Sequence, residues 1–238
     1  MPTVLRGRHR LEYRLQKTDR RKTLGLKVQR DGGVDVLAPH FVNHGHIRDF
    51  VTRKAAWILK RQDYFREMRK LHPPKELRNG ESFPFFGRDY RLRFSNPNGA
   101  AASCRIEGDR LTMIAHRTDS AVVWQAVRDR YAELIEKRVR ALIRRHSKAL
   151  AVEPGRLNIV DQARRWASCA KNGDIRVSWR LAMMPLPVIE YVVVHELCHR
   201  KTHDHSPRFW RIVKSILPDY EKRRQWLRQN GAGAAFSI

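Results

Sequence analysis

Apolar and polar side chains alternate through the early part of the chain. Leu11, Tyr13 and Leu15 form one such run, and Leu24, Leu26 and Val28 a second. Beyond the turn Asp31-Gly32-Gly33, Val34, Val36 and Ala38 form a third, which Pro39 ends. A period of two is that of a half-buried strand. From 43 to about 71 the spacing lengthens to that of a helix. Ile47, Phe50, Val51, Ala55, Ile58 and Leu59 fall near one face, with Trp57 close by and assigned to the same core packing. His72-Pro73-Pro74 breaks this helix. Residues 83–94 predict a hairpin around Gly87-Arg88 with Phe86, Tyr90, Leu92 and Phe94 inward, and 96–103 a loop. Residues 105–114 predict a second hairpin turning at Gly108-Asp109.

The second half begins with a long helix expected over 121–150, striped by Val122, Val123, Val127, Tyr131, Leu134, Ile135, Val139, Leu142 and Ile143. Residues 157–179 return to an extended pattern, with Asn172-Gly173 as a strong hairpin turn. Pro187 can open the next helix, whose Val192, Val193, Val194, Leu197 and Cys198 leave it apolar on most sides and therefore buried. Ser206-Pro207 reads as an N-cap and first-turn proline for another helix, striped by Phe209, Trp210, Ile212 and Val213. The run Gly231 to Ala235 reads as a frayed tail. The expected architecture is α+β: an N-terminal β-rich part with one long helix over 1–118, then 119–238 with a small sheet and a buried helix.

Composition narrows the class. Hydrophobic residues make up 42% of the chain, enough for a packed core. The net charge of +25 favours polyanions, so nucleic acid or nucleotides are candidate partners through a basic surface; solvated basic faces are the competing explanation. Three cysteines without paired spacing point to a reducing compartment. The first residues form no apolar leader, and no run reaches the ~18 apolar residues of a membrane span. The expectation is a cytoplasmic protein with no membrane partner.

The chemistry concentrates in His195-Glu196-Leu197-Cys198-His199. Residues i and i+4 share a helix face, so His195 and His199 can present two imidazoles to one metal ion while Glu196 reaches a water beside it. This is the zincin arrangement: two His ligands and a carboxylate as general base. Two buried histidines need partners, and a metal supplies them. A catalytic zinc keeps three protein ligands and one open position. His203 and His205 both follow the helix. His205 is preferred because it abuts the rigid helix start at Ser206-Pro207, whereas His203 lies mid-loop. A sheet strand just before this helix could pair with an extended peptide by strand addition.

The stretches Arg165-Trp166-Ala167-Ser168-Cys169, Gly173 to Leu181, Val188 to His199 and His205 to Trp210 resemble the YgjP-like metallopeptidase family. So do Arg20-Arg21-Lys22-Thr23, Val36-Leu37-Ala38-Pro39, Lys54-Ala55-Ala56-Trp57-Ile58 and Phe86-Gly87-Arg88-Asp89-Tyr90. SprT-type and WLM-type proteases, linked to DNA–protein crosslink repair, carry related short motifs. The resemblance implies one catalytic Zn2+ on His195, His199 and His205, with Glu196 as base and a protein or peptide as substrate. Trp166, Arg165, Arg176 and Arg180 are the candidate substrate-binding residues. The resemblance also implies two alternatives: nucleoside triphosphate pyrophosphate hydrolysis at the same metal, with Arg164 as a further phosphate candidate, or a DNA-associated protease. One departure is visible: Ala167 stands where the family has Gly, and Ala would be strained if the position required positive φ.

Overall fold

The alternation at the start of the chain folds into two small sheets. In the computed structural model, which describes every residue except 8, 30, 72, 74, 96–101, 115–119, 163, 164, 237 and 238, β1 (Thr3–Arg6) and β2 (His9–Glu12) form an antiparallel hairpin. Strands β3 (Arg14–Lys17), β4 (Gly25–Val28) and β5 (Val34–Ala38) form a second sheet in the order β3-β5-β4. Asn43 caps α1 (His44–Leu71) by accepting the backbone N–H of His46 at 2.9 Å. Ile47, Val51, Ala55 and Ile58 on α1 are wholly buried. Trp57 departs from expectation: it is 49% exposed. It lies one residue before Ile58 and so about 100° round the helix from the buried stripe.

Residues Met1–Pro73 and Pro74–Ile238 are two separate compact units. The boundary expected at 118/119 lies outside the described residues, and the chain divides earlier. The reason is that the strands before 118 need a cover. Strands β6 (Ser82–Phe85), β7 (Arg88–Ser95), β8 (Ser103–Glu107) and β9 (Arg110–Ile114) form one sheet in the order β6-β7-β9-β8, with β7 and β9 parallel. Helix α2 (Ser120–Leu150) packs on it. Phe83, Leu92, Leu111 and Met113 thereby join Val127, Tyr131 and Ile135 in one core. The Tyr131 hydroxyl donates to the Pro84 carbonyl at 2.9 Å. Both expected hairpins form. In the first, Phe83 and Phe85 take the buried positions with Leu92, and Phe86 sits half-buried at the turn with φ +48. The loop expected over 96–103 falls largely outside the described residues.

Strands β10 (Leu157–Val160), β11 (Ala167–Cys169) and β12 (Ile175–Ser178) make the sheet beside the histidines, in the order β10-β12-β11. β11 runs antiparallel to β12 and lies at the edge. A 3₁₀ turn, Trp179–Met183, leads into α3 (Leu186–Cys198), followed by α4 (Pro207–Ile216) and α5 (Tyr220–Phe236). The tail expected to fray is helical in its backbone to Phe236. A side chain at Gly231 would meet Trp166 at 3.3 Å, so a small residue lets α5 approach the residue just before β11. No helix among the described residues is long and apolar enough to cross a membrane.

A partly buried polar cluster ties α2, α3 and α5 together. Glu190 of α3 accepts from His146 of α2 at 2.9 Å and from Arg223 of α5 at 2.8 Å. Burial alone would raise the Glu190 carboxyl, but these hydrogen bonds and the charges of Arg223 and His146 hold it below the ordinary value of 4.5. A depressed folded-state value means stability that is present above 4.5 and lost as pH falls through the lower folded value. Glu190→Gln is therefore expected to destabilise the protein by about 2 kcal/mol at neutral pH. The gap in thermal midpoint between the two proteins should close on acidification. A gap that does not change with pH would show that the carboxylate charge contributes nothing.

Candidate metal centre

Helix α3 has an almost wholly buried body, from Val188 to Cys198. His195 lies in its last turn, and His199 is its C-cap. The chain then turns through Thr202 and Asp204 to His205, which immediately precedes Ser206, the N-cap of α4. The Ser206 side chain makes no capping bond; instead Asp204 Oδ1 accepts the Ser206 N–H at 3.3 Å and the Thr202 hydroxyl at 2.7 Å. Asp204 thus braces the turn between the second and third histidines.

The three imidazoles meet. One potential ligand atom from each of His195, His199 and His205 lies within 4.8 Å of the other two. Nε2 of His195 faces Nε2 of His205 at 3.1 Å, close to the ~3.3 Å that two nitrogens on one tetrahedral zinc would show. His199 Nδ1 lies 3.2 Å from the Thr202 carbonyl. A carbonyl only accepts, so Nδ1 carries the proton and Nε2 is left with its lone pair. Burial pushes His195 down to about 3, and the neighbouring His199 and His205 add to the shift. Burial lowers His199 as well. His195 and His199 are therefore neutral at pH 7, the state a metal needs. The His195 Nδ1 is buried without a hydrogen-bond partner. This donor set suits a divalent ion that favours nitrogen ligands, with zinc foremost.

The rings share a wall. Phe209 of α4 packs against His195, His199 and His205 with centroids 4.9, 4.8 and 4.9 Å away. Trp210 stacks on His205 at 5.7 Å and on Tyr220 at 5.4 Å, with the Arg224 guanidinium 4.3 Å over its ring. Sequence reasoning placed Phe209 and Trp210 in an apolar stripe but missed this role. Their position within one turn of His205 was the available signal. His203 is exposed and outside the triad.

Glu196 is 7% exposed. Burial pushes its carboxyl up to about 7, against a backbone hydrogen bond from Cys169 and the charge of Arg165. β11 is thereby connected to the helix through the residue next to His195. Ala167 is not among the positive-φ residues, so the departure from Gly at this position introduces no backbone strain. Cys198 is buried core.

The candidate substrate residues separate. Arg165 is exposed with its charge acting on Glu196, and Trp166 is half-buried against α5. Arg176 is exposed on the central strand β12. Arg180 is not free: it is nearly buried, paired with Asp161 and laid 4.4 Å over the Trp179 ring. It serves the packing of the sheet rather than an open site. Arg164 lies outside the described residues.

Comparison with known proteins bears on this geometry. No curated protein matches the chain. Among solved structures, the metallopeptidase zymogen of Pyrococcus abyssi abylysin is similar at 21% identity with a TM-score of 0.35, covering 38% of this chain and 93% of that one. The YgjP-like metallopeptidase domain matches residues 22–230, which include most of each compact unit and every residue of the triad. The chain belongs to the YgjP-like metallopeptidase family.

Proposed function

We propose that this protein is a zinc metallopeptidase that uses His195, His199 and His205 as ligands and Glu196 as general base. One observation carries the reading: three imidazoles converge while a buried carboxylate occupies the next position on the same helix. Zinc, when bound, supplies a Lewis acid that polarises the scissile carbonyl and acidifies water. Glu196 takes the proton from the attacking water and returns it to the leaving amine. Arg165 tempers the carboxyl that burial raises. The outer edge of β11 accepts the substrate as an added antiparallel strand, since among the described residues β11 is hydrogen-bonded only to β12 within its sheet. Cys169 at the end of that strand orients Glu196 through its backbone.

Metal analysis of the purified protein should give one zinc per chain. Casein hydrolysis should stop on chelation and return when zinc is restored. Nucleoside triphosphates assayed in parallel should be left intact. Chelator-sensitive release of pyrophosphate without proteolysis would replace the peptidase reading with a nucleotide one.

A further inference from the structure

We propose that the outward face of α1 binds single-stranded nucleic acid, independently of the peptidase reading. Residues 1–73 hold 18 Lys and Arg against 7 Asp and Glu. Four of those seven carboxylates are paired with a cation among the described residues: Glu12 with Arg10, Asp35 with Arg14, Asp63 with Arg66 and Glu67 with Lys70. The aliphatic stripe of α1 is buried within its own unit. At about 100° per residue, Arg53, Lys54, Trp57, Lys60, Arg61 and Tyr64 all fall within about 60° of Trp57. All six are exposed, and no carboxylate shares that sector. Among the described residues, none of these four cations is paired with an acid; the acid pairs on α1 involve only Arg66 and Lys70.

The aromatic members sit among these charges. Trp57 is 49% exposed and Tyr64 37%. The Arg61 guanidinium lies 4.7 Å over the Tyr64 ring. Seven residues of helix separate the two rings by about 10 Å along the axis, roughly three base steps. Exposed rings flanked by cations form the stacking platform and electrostatic groove that single strands use, since only unpaired bases offer their faces. An anionic membrane is the poorer fit. A surface-lying helix inserts a broad apolar face, and α1 has already buried its own.

Fluorescence anisotropy of the full-length chain with a labelled oligodeoxythymidine of about 16 nucleotides tests this. Trp57→Ala should weaken binding about tenfold, and Trp57→Phe should retain most of it because a stacking ring remains. The combined change Arg53→Ala, Lys54→Ala and Lys60→Ala should lower the slope of log affinity against log salt by about 2. Thermal midpoints should stay at the wild-type value, because these side chains are exposed. The proposal is overturned if the wild type fails to bind, or if the variants bind as the wild type does. Tighter binding to a duplex of equal length would also overturn it. So would Trp57-dependent binding to phosphatidylserine vesicles that the oligonucleotide does not displace.

Discussion

Glu196→Gln is expected to hold one equivalent of metal as the wild type does and to hydrolyse peptide about 10²–10⁴-fold more slowly, the range a positioned general base supplies. The two side chains are nearly equal in size, so the packing that leaves Glu196 7% exposed survives the change. What is lost is proton acceptance. An amide nitrogen has no lone pair to receive the proton from water, and no acid remains to return it to the departing amine. Metal content and turnover should therefore separate cleanly in one variant. Equal rates for the two proteins would remove Glu196 from the reaction. Loss of metal alongside activity would recast it as a group that shapes the ligand set.

His205→Ala carries the second large effect. It removes one of three nitrogens that lie within 4.8 Å of one another. Loss of an outer-shell partner typically weakens metal binding 10–100-fold; loss of a ligand should exceed that. Competition against a chromogenic chelator measures it directly. His203→Ala is the internal control. His203 is close in sequence, exposed and outside the triad, so its removal should leave affinity unchanged. Should His203→Ala release the metal while His205→Ala retains it, the third ligand has been misassigned.

The candidate centre was legible in the sequence because its determinants are local. The i, i+4 spacing of His195 and His199 follows from helix geometry, and the preference for His205 followed from Ser206-Pro207, two adjacent residues with a strong meaning at a helix start. The strands were legible for the same reason, since alternation reports a half-buried surface wherever it pairs. Determinants distant in sequence stayed hidden. That β7 and β9 run parallel depends on pairing Arg91 with Arg110 across a long connection. Arg180 read as a free cation because its partner Asp161 is 19 residues away. Trp57 read as core because neighbouring apolar residues blur the edge of a helical stripe. The segment Gly231 to Ala235 reads as a frayed tail because glycine disfavours helix, whereas the approach of Gly231 to Trp166 makes a small residue useful there.

The placement of the three histidines around the end of α3 has a mechanical consequence. His195 belongs to one helix, His199 closes it, and His205 abuts the next. A single ion held by all three would act as a clasp across the intervening bend, so that its binding energy becomes resistance of that bend to opening. Chelation would then loosen residues 200–205 long before the apolar body of α3 gives way. Proteolytic nicking or amide exchange there would report the ion's departure at temperatures where the rest of the fold remains closed.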